Sequence, residues 1–122
     1  MPSASRCVVL ALSTLAVLPL SAQEDAVTAR EIRERWTGRT LVGNTTTGAP
    51  VTMQLQTDGT ASLTAGQTRD SGTWRVSEAG YCTTCKTIRA GQERCYTVRR
   101  TGQKLTVLNP DGSVSGHFSE IR

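Results

Sequence analysis

The chain has 122 residues and a formal net charge of +4, which suits one domain with a modest core. Its arginines are scattered among threonine and glutamine with no dense basic run, which excludes the electrostatic footprint of a nucleic-acid-binding protein. A single histidine, His117, excludes most His-dependent constellations unless His117 itself is the base.

The N-terminus carries one positive charge, Arg6, then an uncharged apolar run from Cys7 to Leu20, then the small residues Ser21 and Ala22. The run is too short to cross a hydrocarbon core of roughly 30 Å and has the layout of a cleavable signal peptide. The expectation is therefore a leader over 1–22, a single domain over 23–122, a periplasmic or secreted location and no membrane span after cleavage. Cys7 precedes the apolar run and leaves with it, and loss of Arg6 lowers the net charge by one.

Residues 27–38, "VTAREIRERWTG", carry the one strong helix signal. Thr28 suits an N-cap, Glu31 completes a capping box, and Val27 and Ile32 form a hydrophobic staple. Ala29, Ile32 and Trp36 share a face. So short a helix is marginal alone and must dock that face on something larger.

From Arg39 onward, turn residues punctuate alternating runs, which predicts a mainly β fold. The expected architecture is a small antiparallel barrel or sandwich of about eight strands with one short N-terminal helix. In "VTMQLQTDGTASLTA" a three-residue loop, Thr57-Asp58-Gly59, puts Leu55 opposite Ala61, Met53 opposite Leu63 and Val51 opposite Ala65. "GTWRV" reads as a strand with Trp74 and Val76 inward and Arg75 outward. "KLTVLNPDGSVSGHF" predicts a hairpin around Pro110-Asp111-Gly112, pairing Val107 with Val114 and Leu105 with Gly116, with Phe118 inward and His117 outward. Small residues (Gly43, Ala61, Ala65, Gly116) alternate with large ones, as the taper of a filled barrel requires.

"YCTTCKTIRAGQERCYTV" holds the three cysteines that remain after cleavage. A hairpin loop centred between Ile88 and Arg89 sets Cys82 opposite Cys95, at a Cα separation a disulfide can bridge. Cys85, three residues on, points to the other face and is left as a free thiol. A redox C-x-x-C needs a helix N-terminus, and its flanks here are strand formers. Haem attachment needs a histidine where Lys86 stands. A Cys₃His zinc site would have to recruit His117 against disulfide formation in an oxidising compartment. No metal and no cofactor are expected. Asp58, Asp70 and Asp111 read as turn residues, and Glu31, Glu34 and Glu93 as partners of nearby arginines.

The segments "EIRERWTGRTLVGNT", "DGTASL", "SGTWRV", "YC" at 81–82, "ERCYTV" and "NPDGSVSG" resemble a group of small exported bacterial proteins of unknown function, marked by a G-T-W-x-V strand and a two-cysteine hairpin. The resemblance implies the same Cys82–Cys95 pairing and carries no known activity, so it transfers no catalytic residue. The departure is Cys85, where the group's pattern has an aromatic residue.

The sequence thus reads as a non-catalytic periplasmic binding or structural envelope domain stabilised by one disulfide. A narrow barrel fills its interior with side chains and leaves little room for a ligand. Binding is therefore expected on an outer face bearing Arg75, Arg89, Arg99 and Arg100, with an envelope protein or an anionic envelope component as partner and no nucleic acid. The alternatives are an inhibitor of a periplasmic hydrolase acting through a protruding loop at 66–72, or a thiol-based redox protein using Cys85. An odd cysteine also permits a dimer through Cys85.

Overall fold

The computed structural model describes residues 25–122, so the leader expected over 1–22, with Cys7, lies outside the described residues. Turn residues divide the chain into strands β1 (Asp25–Ala26), β2 (Thr40–Thr45), β3 (Pro50–Leu55), β4 (Thr60–Ala65), β5 (Thr68–Val76), β6 (Gly80–Cys85), β7 (Glu93–Thr101), β8 (Lys104–Leu108) and β9 (Val114–Ile121). Each of β2–β9 pairs antiparallel with its neighbours in the order β7-β6-β5-β4-β3-β2-β9-β8, and β8 pairs back onto β7. Eight strands therefore close a barrel, which decides between the barrel and the sandwich.

Closure depends on β7. Its first half pairs with β6, from Thr84↔Glu93 to Gly80↔Thr97. Its second half pairs with β8, from Thr97↔Leu108 to Thr101↔Lys104. Such a stagger accompanies the strand tilt that a closed barrel requires. β1 takes the edge that β6 leaves open, pairing Asp25 with Arg100 and Ala26 with Arg99.

Alternation turns one side of every strand into the lumen. Leu41, Met53, Leu55, Ala61, Tyr81, Val98, Leu105, Val107 and Phe118 form one buried cluster there, joined by Val27, Ile32 and Trp36. The β3–β4 hairpin has the expected register, Leu55↔Ala61, Met53↔Leu63 and Val51↔Ala65. Its loop places Gly59 at φ 86°, a conformation that glycine adopts without a Cβ penalty.

The late hairpin differs from expectation. Asn109 N–H donates to the Ser113 carbonyl (2.8 Å) around the Pro110-Asp111-Gly112 loop, and Leu108 pairs with Val114. A bulge then shifts the ladder by one residue, so Val107 faces Gly116 and Leu105 faces Phe118. The extra residue keeps Gly116 and Phe118 inward and leaves Val114 40 % exposed. The expected 66–72 loop is also absent. Gly66 and Gln67 make a tight two-residue turn, and residues 68–72 are already β5, paired to β4 throughout.

The helix caps one end of the barrel. Thr28 Oγ1 accepts the Glu31 N–H (3.1 Å) as an N-cap should. α1 (Ala29–Glu31) runs at once into a wider π-type turn, Ile32–Trp36, that buries Ile32 and Trp36 completely. Glu31 does not close the capping box with its side chain; its carboxylate accepts from Arg100 instead. Beyond Trp36, Gly38 N–H donates to the Leu55 carbonyl (2.8 Å), fastening the end of the plug to β3. No helix among the described residues is long and apolar enough to cross a membrane.

Candidate functional site

The end of the barrel opposite the helix is ringed by the loops 46–49, 66–67, 86–92 and 109–113 and opens on a cavity of about 180 Å³. The distribution of side-chain size explains it. Trp36 stacks edge-on against Tyr81 (5.7 Å) and Phe118 (6.0 Å), and Tyr81 stacks on Tyr96 (5.3 Å), so aromatics fill the helix end. Toward the open end the inward positions are Ala65, Gly72, Cys85 and Gly116, which are too small to meet in the middle. Met53, Leu63, Val107 and Phe118 wall the space that remains. The expectation of a filled barrel is thereby corrected: eight strands either pack solid or hold one small ligand, and this taper leaves one half open.

Gly72 also brings β5 and β6 close, as Gly43 does for β2 and β9. A Cβ at Gly72 would lie 1.8 Å from the Thr84 carbonyl oxygen, so no other residue fits without moving the strands apart.

The 86–92 loop contributes Ile88 and Arg89 to the cavity's rim. Asp70, on the lumen side of β5, holds this loop: its carboxylate accepts the N–H of Ile88 (2.6 Å), of Thr87 (3.1 Å) and of Ser71 (2.8 Å). Those donors, the Ile88 N–H foremost, keep the Asp70 carboxyl below the usual carboxylate range. Asp70 is therefore a cross-element anchor, not a local turn residue as expected, whereas Asp58 and Asp111 do bond their own turns. Next in the loop, Arg89 (φ 62°) and Ala90 (φ 51°) both adopt the left-handed conformation, which costs about 1 kcal/mol or more for each non-glycine residue.

The cysteines are arranged as register demands. Cys82 and Cys95 are directly opposite and joined by a disulfide on the outer side of the wall. Arg75 and Glu93 cross above it, with Arg75 Nε and Nη2 donating to the carboxylate at 2.9 and 2.6 Å. The Cys82, Cys95 and Glu93 ligand atoms lie within 4.8 Å of one another, but both sulfurs are consumed in the S–S bond, which leaves a metal only one carboxylate. Cys85 is a free thiol, 8 % exposed and lining the lumen. Burial first, and then the Asp70 charge, push its pKa up. A redox thiol must be accessible and acidic, and Cys85 is neither. A bond from it to a second chain would have to form inside the barrel mouth.

The four arginines do not share a face. Arg75 points outward and is occupied by Glu93. Arg99 is exposed, while Arg100, on the same side of β7 as buried Val98, reaches Glu31 at the helix end. Arg89 alone stands at the open rim, with no ion-pair partner among the described residues. His117 is half-buried beside Thr106, its Nδ1 3.1 Å from the hydroxyl, and burial followed by the Lys104 charge lowers its pKa.

Sequence reasoning missed the cavity. The available signal was the set of small inward residues, Ala65, Cys85 and Gly116, taken together. Neither a family model, nor a curated protein, nor a solved structure matches the chain.

Proposed function

We propose that the protein is a non-catalytic exported binding domain whose barrel lumen takes one small apolar molecule. The observation that carries this reading is the cavity of about 180 Å³, walled by Met53, Leu63, Val107 and Phe118, plugged at one end and open at the other. A protein cavity of about 150 Å³ admits benzene, so this one suits a single ring or a chain of about six carbons. Burying about six methylenes at about 0.8 kcal/mol each corresponds to a dissociation constant on the order of 0.1–1 mM.

The absence of catalysis in this reading is supported by the lining. Its buried titratable groups, Tyr81 and Cys85, have their pKa raised by burial and supply no base at neutral pH, and its one imidazole, His117, has Nδ1 beside the Thr106 hydroxyl and no carboxylate in the lining to orient it. Export is supported by the composition of residues 1–22 and by the disulfide, a bond that persists in oxidising compartments.

The test is a titration of the protein with 1-hexanol followed by methyl NMR. The Met53 and Leu63 methyl resonances should shift in a saturable way, and Cys85→Phe, which fills the lumen, should abolish the shift. Unmoved methyls at millimolar alcohol would overturn the reading.

A further inference from the structure

We propose that the molecule held in the lumen is a small monocarboxylate, with its apolar body in the cavity and its carboxylate on Arg89 at the mouth. The inference rests on the lumen being a binding site and adds the chemistry of the ligand's head. Arg89 is the one residue with a permanent charge in the cavity lining among the described residues, and no acidic side chain lines that cavity. The other polar side chains that line the cavity, among them Asn44, Thr45, Ser115 and His117, carry no permanent charge. Asp70 supplies a negative charge on the lumen side of β5, but its carboxylate accepts from the Ile88, Thr87 and Ser71 amides and does not line the cavity.

The backbone supports the same assignment. Arg89 and Ala90 both hold left-handed conformations that glycine would adopt more easily, and Asp70 anchors the loop just ahead of them. Strain of this kind survives where the surrounding structure over-determines it, and it clusters at ligand sites. Here its result is a guanidinium held at the rim without an ion-pair partner among the described residues. A guanidinium presents a planar fork that matches a carboxylate with two parallel hydrogen bonds. One guanidinium balances one negative charge, which favours a carboxylate over a dianionic phosphate.

The experiment compares hexanoate with 1-hexanol, two probes of equal chain length, by calorimetry on the wild-type protein, Arg89→Gln and Arg89→Lys at neutral pH. Hexanoate should bind about tenfold more tightly than hexanol, since a charge-assisted pair is roughly twice as strong as a neutral one. Arg89→Gln should erase that advantage, bringing hexanoate to the affinity of hexanol, and Arg89→Lys should retain part of it. Added salt should weaken hexanoate binding alone. Equal binding of the two probes, or a preference that survives Arg89→Gln, overturns the carboxylate assignment and leaves the lumen standing. Failure of both probes to bind overturns the lumen reading itself.

Discussion

Trp36 is wholly buried between Tyr81 and Phe118, yet its indole Nε1–H has no hydrogen-bond partner. Its contribution is therefore volume, offset by an unsatisfied donor. Trp36→Ala should cost about 3–5 kcal/mol in urea unfolding. Trp36→Phe, which keeps an aromatic ring and removes the orphan N–H, should cost clearly less, and equal losses would show that the donor is satisfied. Asp70 gives a pH prediction. Its carboxyl is lowered in the folded state by backbone N–H donors, so the anchorage it provides is complete above the ordinary carboxylate pKa of about 4. That anchorage is lost as pH falls through the lower, folded value. The Ile88 amide resonance should accordingly titrate with a midpoint below that of free aspartate, and Asp70→Asn should remove the transition. A midpoint at or above the free value would contradict the contacts seen.

At the scale of elements, the β6–β7 hairpin couples a covalent staple to the loop at the cavity's rim. The disulfide closes a segment with a sequence separation of 13, a loop size for which the chain-entropy estimate is about 3 kcal/mol. Cys82→Ser with Cys95→Ser should lower unfolding free energy by roughly 2–4 kcal/mol. The loss should appear together with faster hydrogen exchange across 86–92, because the bond ties the strands at the base of that loop. Exchange unchanged in the loop would mean that Asp70 alone holds it. The β8–β9 hairpin shows where strand reading stops short. Its loop residues were legible, but the bulge that leaves Val114 exposed was not, and β9 carries a second irregularity on its other edge, where it pairs with β2.

Across the whole molecule, one end of the barrel is full and the other is not, and this polarity organises the rest. The helix seals the aromatic end through Ile32 and Trp36, so the lumen has one mouth. Cys85→Phe should therefore raise stability by about 0.5–2 kcal/mol by filling space. A large destabilisation instead would mean that the cavity is smaller than its lining implies.

Much of this was legible in the chain because it is local. Alternation along each strand, the Thr57-Asp58-Gly59 loop and the Cys82–Cys95 register depend on residues close in sequence, where side-chain period and turn geometry leave few options. Thr28 at its N-cap belongs to the same class. Closure of β7 on β8, the pairing of β2 with β9 and the dispersal of the four arginines depend on segments far apart in the chain, and strand pattern is silent on which edges meet. The cavity is the furthest from local. Ala65, Gly72, Cys85 and Gly116 are unremarkable singly, and each would be an ordinary inward residue in a filled barrel. Only when tertiary structure gathers them at one end, away from Trp36, Tyr81 and Phe118, do their small volumes add up to a space a ligand can enter, because packing is a property of the sum of side chains that meet and not of any one strand.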